Sequence, residues 1–224
     1  MRRRLLPLAA LLLLSAVPAF AAAPEPAVLA PAAALRAAVA PGRKVAIFAG
    51  GCFWGIEAVF SHLRGVTSAV SGYHGGAGSS AIYETVSTGR TGHAEAVRVT
   101  YDPAVIRYDQ LLRVFFSVGA DPTQVNRQGP DEGTQYRSAL VPLDPEQRRV
   151  AEAYLAQLSA ARLWPRPIAT RLEPYKRFYP AEPHHQDFAA DHPAHPYIQF
   201  WDAPKVAALR RMFPDLYKPG FTRG

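Results

Sequence analysis

Sulfur is scarce in this chain of 224 residues, which holds one cysteine and two methionines. A single thiol excludes any internal disulfide, so packing alone must hold the fold. Charge is sparse too, at 19% of residues. No basic run interleaved with aromatics occurs, which argues against nucleic-acid binding. The apolar stretch Leu5–Leu14 is too short for a membrane span, and no internal repeat is present. That stretch follows Met1-Arg2-Arg3-Arg4 and ends near Ala19-Phe20-Ala21, the basic start and small-residue exit of a secretory signal. Cleavage is expected after Ala21, with residues 1–21 removed and the adjacent arginines leaving a twin-arginine route open. Removing Arg2, Arg3 and Arg4 lowers the formal net charge from +7 to +4. The mature chain is therefore expected outside the cytoplasm, in the periplasm of a bacterium, without membrane insertion.

An apolar content of 49% is ample for a core. Residues 22–42, rich in Ala and Pro, read as a flexible tether with no catalytic content. This leaves 43–224 as one domain. Lys44–Ala49 reads as a strand, and Phe53, Ile56, Val59, Phe60 and Leu63 recur at helical spacing. Gly65 closes that helix. Val66–Gly72 and His93–Tyr101 are further strands, Tyr108–Val118 a helix and Tyr136–Val141 a fourth strand. The order β-α-β-β-α-β predicts an α+β fold, a two-layer ferredoxin-like (split β-α-β) sandwich. Pro145–Ala160 adds a helix beyond it, and a further helix is expected between Trp201 and Tyr217. The connections Tyr73–Gly92 and Gly119–Gln135 exceed ordinary loop length and carry polar and aromatic residues, so both are candidates for function.

The lone cysteine, Cys52, lies in Gly50-Gly51-Cys52-Phe53-Trp54-Gly55, where strand passes to helix. Unpaired N–H groups and the positive end of the helix dipole favour a thiolate there, so a lowered pKa is expected. The plainer reading is a small buried hydrophobe. Alternation along His93–Tyr101 places Glu95 with Val97, Val99 and Tyr101 on the more apolar face. A desolvated glutamate is raised toward neutrality and suits a general acid. The alternatives are a solvated strand end or an ion pair with Arg137.

Several segments together resemble one family. They are Gly51-Cys52-Phe53-Trp54-Gly55, Gly72-Tyr73 with Gly75-Gly76, Thr91-Gly92-His93-Ala94-Glu95-Ala96-Val97, Tyr101-Asp102-Pro103, Asp121-Pro122-Thr123, Arg127-Gln128-Gly129 and Gly133-Thr134-Gln135-Tyr136-Arg137-Ser138. In order and spacing the chain is similar to the A-type peptide-methionine (S)-S-oxide reductases, from about Val45 to Phe188. The resemblance implies reduction of methionine S-sulfoxide, free or within oxidised proteins, with Cys52 as nucleophile and Glu95 as acid. It implies that Tyr83 and Tyr136 bind the sulfoxide oxygen, Phe53 and Trp54 hold the methyl group, and Asp131 orders water.

There are departures. Ala120 stands where many members have His, His184-His185-Gln186 replaces Tyr-His-Gln, and the tail has no recycling cysteine. With no second thiol, a sulfenic acid on Cys52 requires an external reductant: a thioredoxin-like protein, glutaredoxin with glutathione, or an exported reductase. No bound cofactor and no metal are expected, and the chain is expected to be a monomer. A zinc site among His184, His185, Asp187, Asp191, His192 and His195 is the weaker reading of that cluster, since prolines interrupt it and no cysteine joins it. Two rivals remain, a thiol hydrolase or acyltransferase using Cys52 with His93, and a non-catalytic histidine-rich binding domain.

Overall fold

The computed structural model describes residues 23–224, so the expected signal at 1–21 lies outside the described residues. Among the described residues, eight strands and six α-helices follow in order: β1 Lys44–Gly50, α1 Phe53–Ser61, β2 Val66–His74, α2 Tyr83–Val86, β3 Ala94–Tyr101, α3 Tyr108–Val114, β4 Arg127–Gln128, β5 Asp131–Glu132, β6 Ser138–Val141, α4 Pro145–Ala161, β7 Arg171–Leu172, β8 Phe178–Pro180, α5 Phe188–Asp191 and α6 Ala203–Met212. One sheet runs β7-β6-β1-β3-β2-β8, and β4-β5 forms a separate ladder. Its four central strands are those expected from the alternation, and their antiparallel pairing around β1 and β3 is that of the split β-α-β sandwich. Two short edges extend it, β7 parallel to β6 and β8 antiparallel to β2. No helix among the described residues is long and apolar enough to cross a membrane.

Most of the core lies on the helical face of the sheet. Phe48, Val97, Val99 and Tyr101 meet Ile56, Val59 and Phe60 of α1, Leu111 and Leu112 of α3, and Val150 and Tyr154 of α4. Phe48 stacks on Phe60 at 4.6 Å and touches Phe115 at 5.4 Å. The opposite face carries a smaller cluster of Ile47, Ala49, Ala94, Ala96, Ala139, Val141 and Phe178, with Arg98 over the Phe178 ring. Several boundaries differ from the periodicity: β2 runs on to His74 and β3 starts at Ala94. The helix expected to reach Val118 widens into a π-turn at Phe115–Gly119, and Thr134–Tyr136 is a single 3-10 turn, so β6 starts at Ser138.

The segment read as a tether is a docked strap. The Val28 N–H donates to the Ser117 carbonyl, and the Ala30 and Ala37 N–H groups to Ser117 Oγ and Asp109 Oδ1. In return Arg113 and Tyr154 donate to the carbonyls of Ala30 and Pro31. Ala30, Ala33 and Ala37 are buried. Alanine and proline lose almost no side-chain entropy on docking, and side chains of α3 and α4 satisfy the extended backbone, so the composition that suggested looseness makes ordering cheap.

Gly51 connects this frame to the site. Its φ of +95° lies in the left-handed region, and a Cβ there would sit 2.5 Å from the Gln128 Cβ. We predict that Gly51→Ala costs of order 1–3 kcal/mol through backbone strain and collision with Gln128. Urea unfolding measures this, and an unchanged midpoint would contradict it.

Candidate active site

The first amide of α1 serves a side chain from another strand. The Phe53 N–H donates to Glu95 Oε2 at 3.0 Å, whereas the Cys52 sulfur makes no capping hydrogen bond and gains only a small lowering of its pKa from the Trp54 N–H. Cys52 occupies the N-cap position with extended backbone, and as a residue it is half-buried. Glu95 comes from the middle strand of the sheet, opposite Tyr73 of β2, and is 2% exposed on the helical face. Thiol and carboxyl thus share one helix end. Arg137, the alternative partner for Glu95, pairs with Glu173 instead at 2.7 Å.

Burial pushes the Glu95 carboxyl up to about 8, the Phe53 N–H opposing and the Asp131 charge adding to the rise. It therefore holds a proton at neutral pH. The expectation for Cys52 needs correction, because its thiol is pushed well up, not down. Burial is the main cause, followed by the charges of Glu95, Asp202 and Asp131, which outweigh the Trp54 N–H. A proton on Glu95 removes the second of these contributions.

The remaining expected residues surround this pair. Tyr83 opens α2, its N–H held by Glu182 Oε1 at 2.8 Å, and Tyr136 ends the 3-10 turn before β6. Both hydroxyls are raised by burial first and the Glu95 charge second, with Cys52 contributing to each. Asp131 begins β5 and accepts a hydrogen bond from the Tyr197 hydroxyl. Burial raises its carboxyl, opposed by that bond and by Lys205. Phe53 is sealed at 1% exposure against Tyr73 and His185, whereas Trp54 is half-buried and stacks on Phe188 at 3.8 Å and 8°. Of the two aromatic residues, Trp54 alone retains an appreciable open surface. A cavity of about 280 Å³ also reaches Cys52, from the side of Asp131, Tyr197 and Trp201, and the strap residues Pro24–Ala27 form part of its wall. Glu95, Tyr83 and Tyr136 do not line it.

The histidines are placed otherwise. His93 accepts from the Gly76 N–H at Nδ1 and lies 2.9 Å from the Ala77 carbonyl through Nε2, so both ring nitrogens are engaged in holding a loop. The hydrolase reading loses its base. His185 packs tilted among the rings of Phe53, Trp54 and Tyr83, and burial lowers its pKa. His192 and His195 lie against Phe188, and Asp187 and Asp191 bind Arg223. No group of three or more His, Cys, Asp or Glu among the described residues is arranged to hold a metal ion.

Sequence reasoning missed Tyr197 and Asp202, both brought in by the C-terminal segment. Asp202 is 1% exposed, with Lys205 3.8 Å away, and burial raises its carboxyl to about 6. A Cβ on Gly55 would lie 2.1 Å from Asp202 Oδ1, so glycine in α1 is what lets this carboxyl approach. The Cys-Phe-Trp-Gly string carries that signal only in hindsight. Ala120, the departure from histidine, is buried and close to Gly50, and lines the cavity.

The folded Glu95 stays protonated to about pH 8, against an ordinary 4.5. The native state therefore binds more protons than the unfolded chain in that window, and stability falls as pH rises through it. Relative to the wild type, Glu95→Gln is predicted to gain about 1.4 kcal/mol per pH unit between about pH 5 and 8. Parallel stability profiles in urea titrations would show that Glu95 ionises normally.

Comparison with known proteins gives the same direction. The family described as "Peptide methionine sulfoxide reductase" matches residues 44–216. The chain is 57% identical over 178 residues to Peptide methionine sulfoxide reductase MsrA 2 of Mesorhizobium japonicum, covering 80% of this chain and 91% of that protein. It is 51% identical over 176 residues to MsrA of Thermus thermophilus, covering 79% and 98%. Among solved structures, methionine sulfoxide reductase A of Corynebacterium diphtheriae superposes with a TM-score of 0.58 at 36% identity, over 78% of this chain and 85% of that one. Mxr1 of Saccharomyces cerevisiae in reduced form gives 0.59 at 33% identity, over 71% and 91%. With its thiol and its protonated carboxyl on one helix end, and a family match across nearly all of the sandwich, the chain belongs to the A-type peptide methionine sulfoxide reductases.

Proposed function

We propose that Cys52 is the nucleophile and Glu95 the acid with which this reductase returns methionine S-sulfoxide to methionine. The observation that carries this is the meeting of thiol and buried carboxyl at one helix end, with Cys52 at the N-cap and Glu95 held by the Phe53 N–H. A sulfoxide oxygen leaves only if it is protonated as sulfur attacks. Glu95 holds that proton at neutral pH. The hydroxyls of Tyr83 and Tyr136, coupled electrostatically to both groups, supply donors that bind the oxygen more tightly as charge builds on it. Trp54 offers the apolar wall for the methyl group, with Phe53 fixed behind the turn. Asp131, restrained by Tyr197, orients the polar edge of the site.

The step balances without a cofactor. The Cys52 sulfur bonds to the sulfoxide sulfur, Glu95 protonates the oxygen, and the thiol proton restores Glu95. Oxygen then passes to Cys52, giving a sulfenic acid and the thioether. Cys52 is reduced by two outside thiols, the first displacing water to form a mixed disulfide and the second releasing the enzyme thiol. With one cysteine in the chain, a dithiol protein of the thioredoxin type suits both steps. The export pattern of Met1–Ala21 supports a site of action outside the cytoplasm, periplasmic in a bacterium, where an exported reductase would be the source of electrons.

Mixing the protein with a methyl sulfoxide in the absence of reductant should add one oxygen atom at Cys52 and form about one thioether per chain. Mass spectrometry reads both. Glu95→Gln should slow this single turnover by about 10²- to 10⁴-fold with the fold intact, and the wild-type rate should decline as pH rises past about 8. An unchanged rate in the variant removes the acid role.

A further inference from the structure

The cavity walled by the strap opens on Cys52 beside Asp131 and Tyr197, on a side that Glu95, Tyr83 and Tyr136 do not line. Pro24–Ala27 lie before residue 44, where the family match begins, yet they close one side of the cavity that opens on Cys52. Glu25 fastens them. Its Oε1 accepts the Gly129 N–H at 2.7 Å and a hydrogen bond from the Gln124 side chain. Gly129 in turn packs close to the Trp201 ring, so an extended, proline-flanked segment is seated against a loop amide and an aromatic surface.

Reduction of the sulfenic acid has a direction. The oxygen to be displaced lies toward Glu95, Tyr83 and Tyr136, and a thiolate displaces from sulfur along the line opposite the leaving group. It must therefore reach Cys52 on a side those three residues do not line. The cavity bounded by Asp131, Tyr197, Trp201 and the strap meets that requirement. Because Pro24–Ala27 form part of its wall, the strap narrows this approach more for an extended protein loop than for a small thiol.

We propose that this cavity is the docking site for the extended thiol-bearing loop of a dithiol reductase, and that the strap, latched by Glu25, is a self-ligand competing for it. The inference rests on the sulfenic-acid reading. In the step concerned, the partner thiolate forms an S–S bond to Cys52 as the S–O bond breaks and oxygen leaves as water with a proton from Glu95. The partner's second thiol then displaces Cys52, and the partner is left oxidised.

The test uses purified protein carried through one turnover without reductant, then mixed rapidly with either a thioredoxin-type dithiol protein or dithiothreitol. For Glu25→Ala the rate constant with the protein dithiol should rise about fivefold or more, because the loop-accessible state is no longer opposed by the latch. With dithiothreitol it should change less than about twofold, and the preceding oxygen transfer should be unaffected. Glu25→Gln keeps an acceptor for the Gly129 N–H and should stay near the wild type. Equal acceleration of both thiols, or no acceleration of the protein dithiol while oxygen transfer is intact, overturns the docking role alone. Failure of the wild type to gain oxygen at Cys52 removes the underlying chemistry and this inference with it.

Discussion

Everything at this site depends on the free end of one helix. An α-helix begins with amides that lack intrahelical partners, and the start of α1 gathers a carboxyl bound to the Phe53 N–H and the N-cap sulfur, which lie 43 positions apart in sequence. The positive helix end favours negative charge on either group, while burial opposes it on both. Burial prevails, so both groups rest neutral. The mechanism proposed for sulfoxide reduction uses that balance, with the acid carrying its proton and the sulfur gaining nucleophilicity as the oxygen takes a proton.

The surroundings maintain this condition from three directions. The sheet brings Glu95 up from β3, with Tyr73 opposite it. Gly51, lacking a side chain, lets Gln128 close over the turn, which brings the β4-β5 ladder and Asp131 beside Cys52. The C-terminal segment wraps Trp54 with Phe188 and His195, and contributes Tyr197 and Asp202. Each added carboxyl further disfavours the thiolate, and the Lys205 charge moderates Asp131 and Asp202.

Local order was legible in the residues; long-range charge was not. Alternation along Ala94–Tyr101 and the 3.6-residue spacing from Phe53 identified the strand and helix that hold Glu95 and Cys52, because both patterns are consequences of facing one core. The edges β7 and β8, two and three residues long, carry too little pattern to be read. The rise in the Cys52 pKa was invisible for a different reason. The helix end is written beside the cysteine, whereas the burial that dominates the shift, and the Glu95, Asp202 and Asp131 charges that add to it, arise only after the chain has folded. The strap was misread because alanine and proline describe an absence of side-chain contacts, and here the contacts are made by its backbone.

A thiol held neutral has a consequence for endurance. Peroxide and alkylating agents attack the anion, so a cysteine that stays protonated in the empty enzyme is a poor target for them. The burial of Cys52, reinforced by the Asp202 and Asp131 charges, thereby acts as a safeguard against futile damage, one suited to a chain with no second thiol to repair an accident.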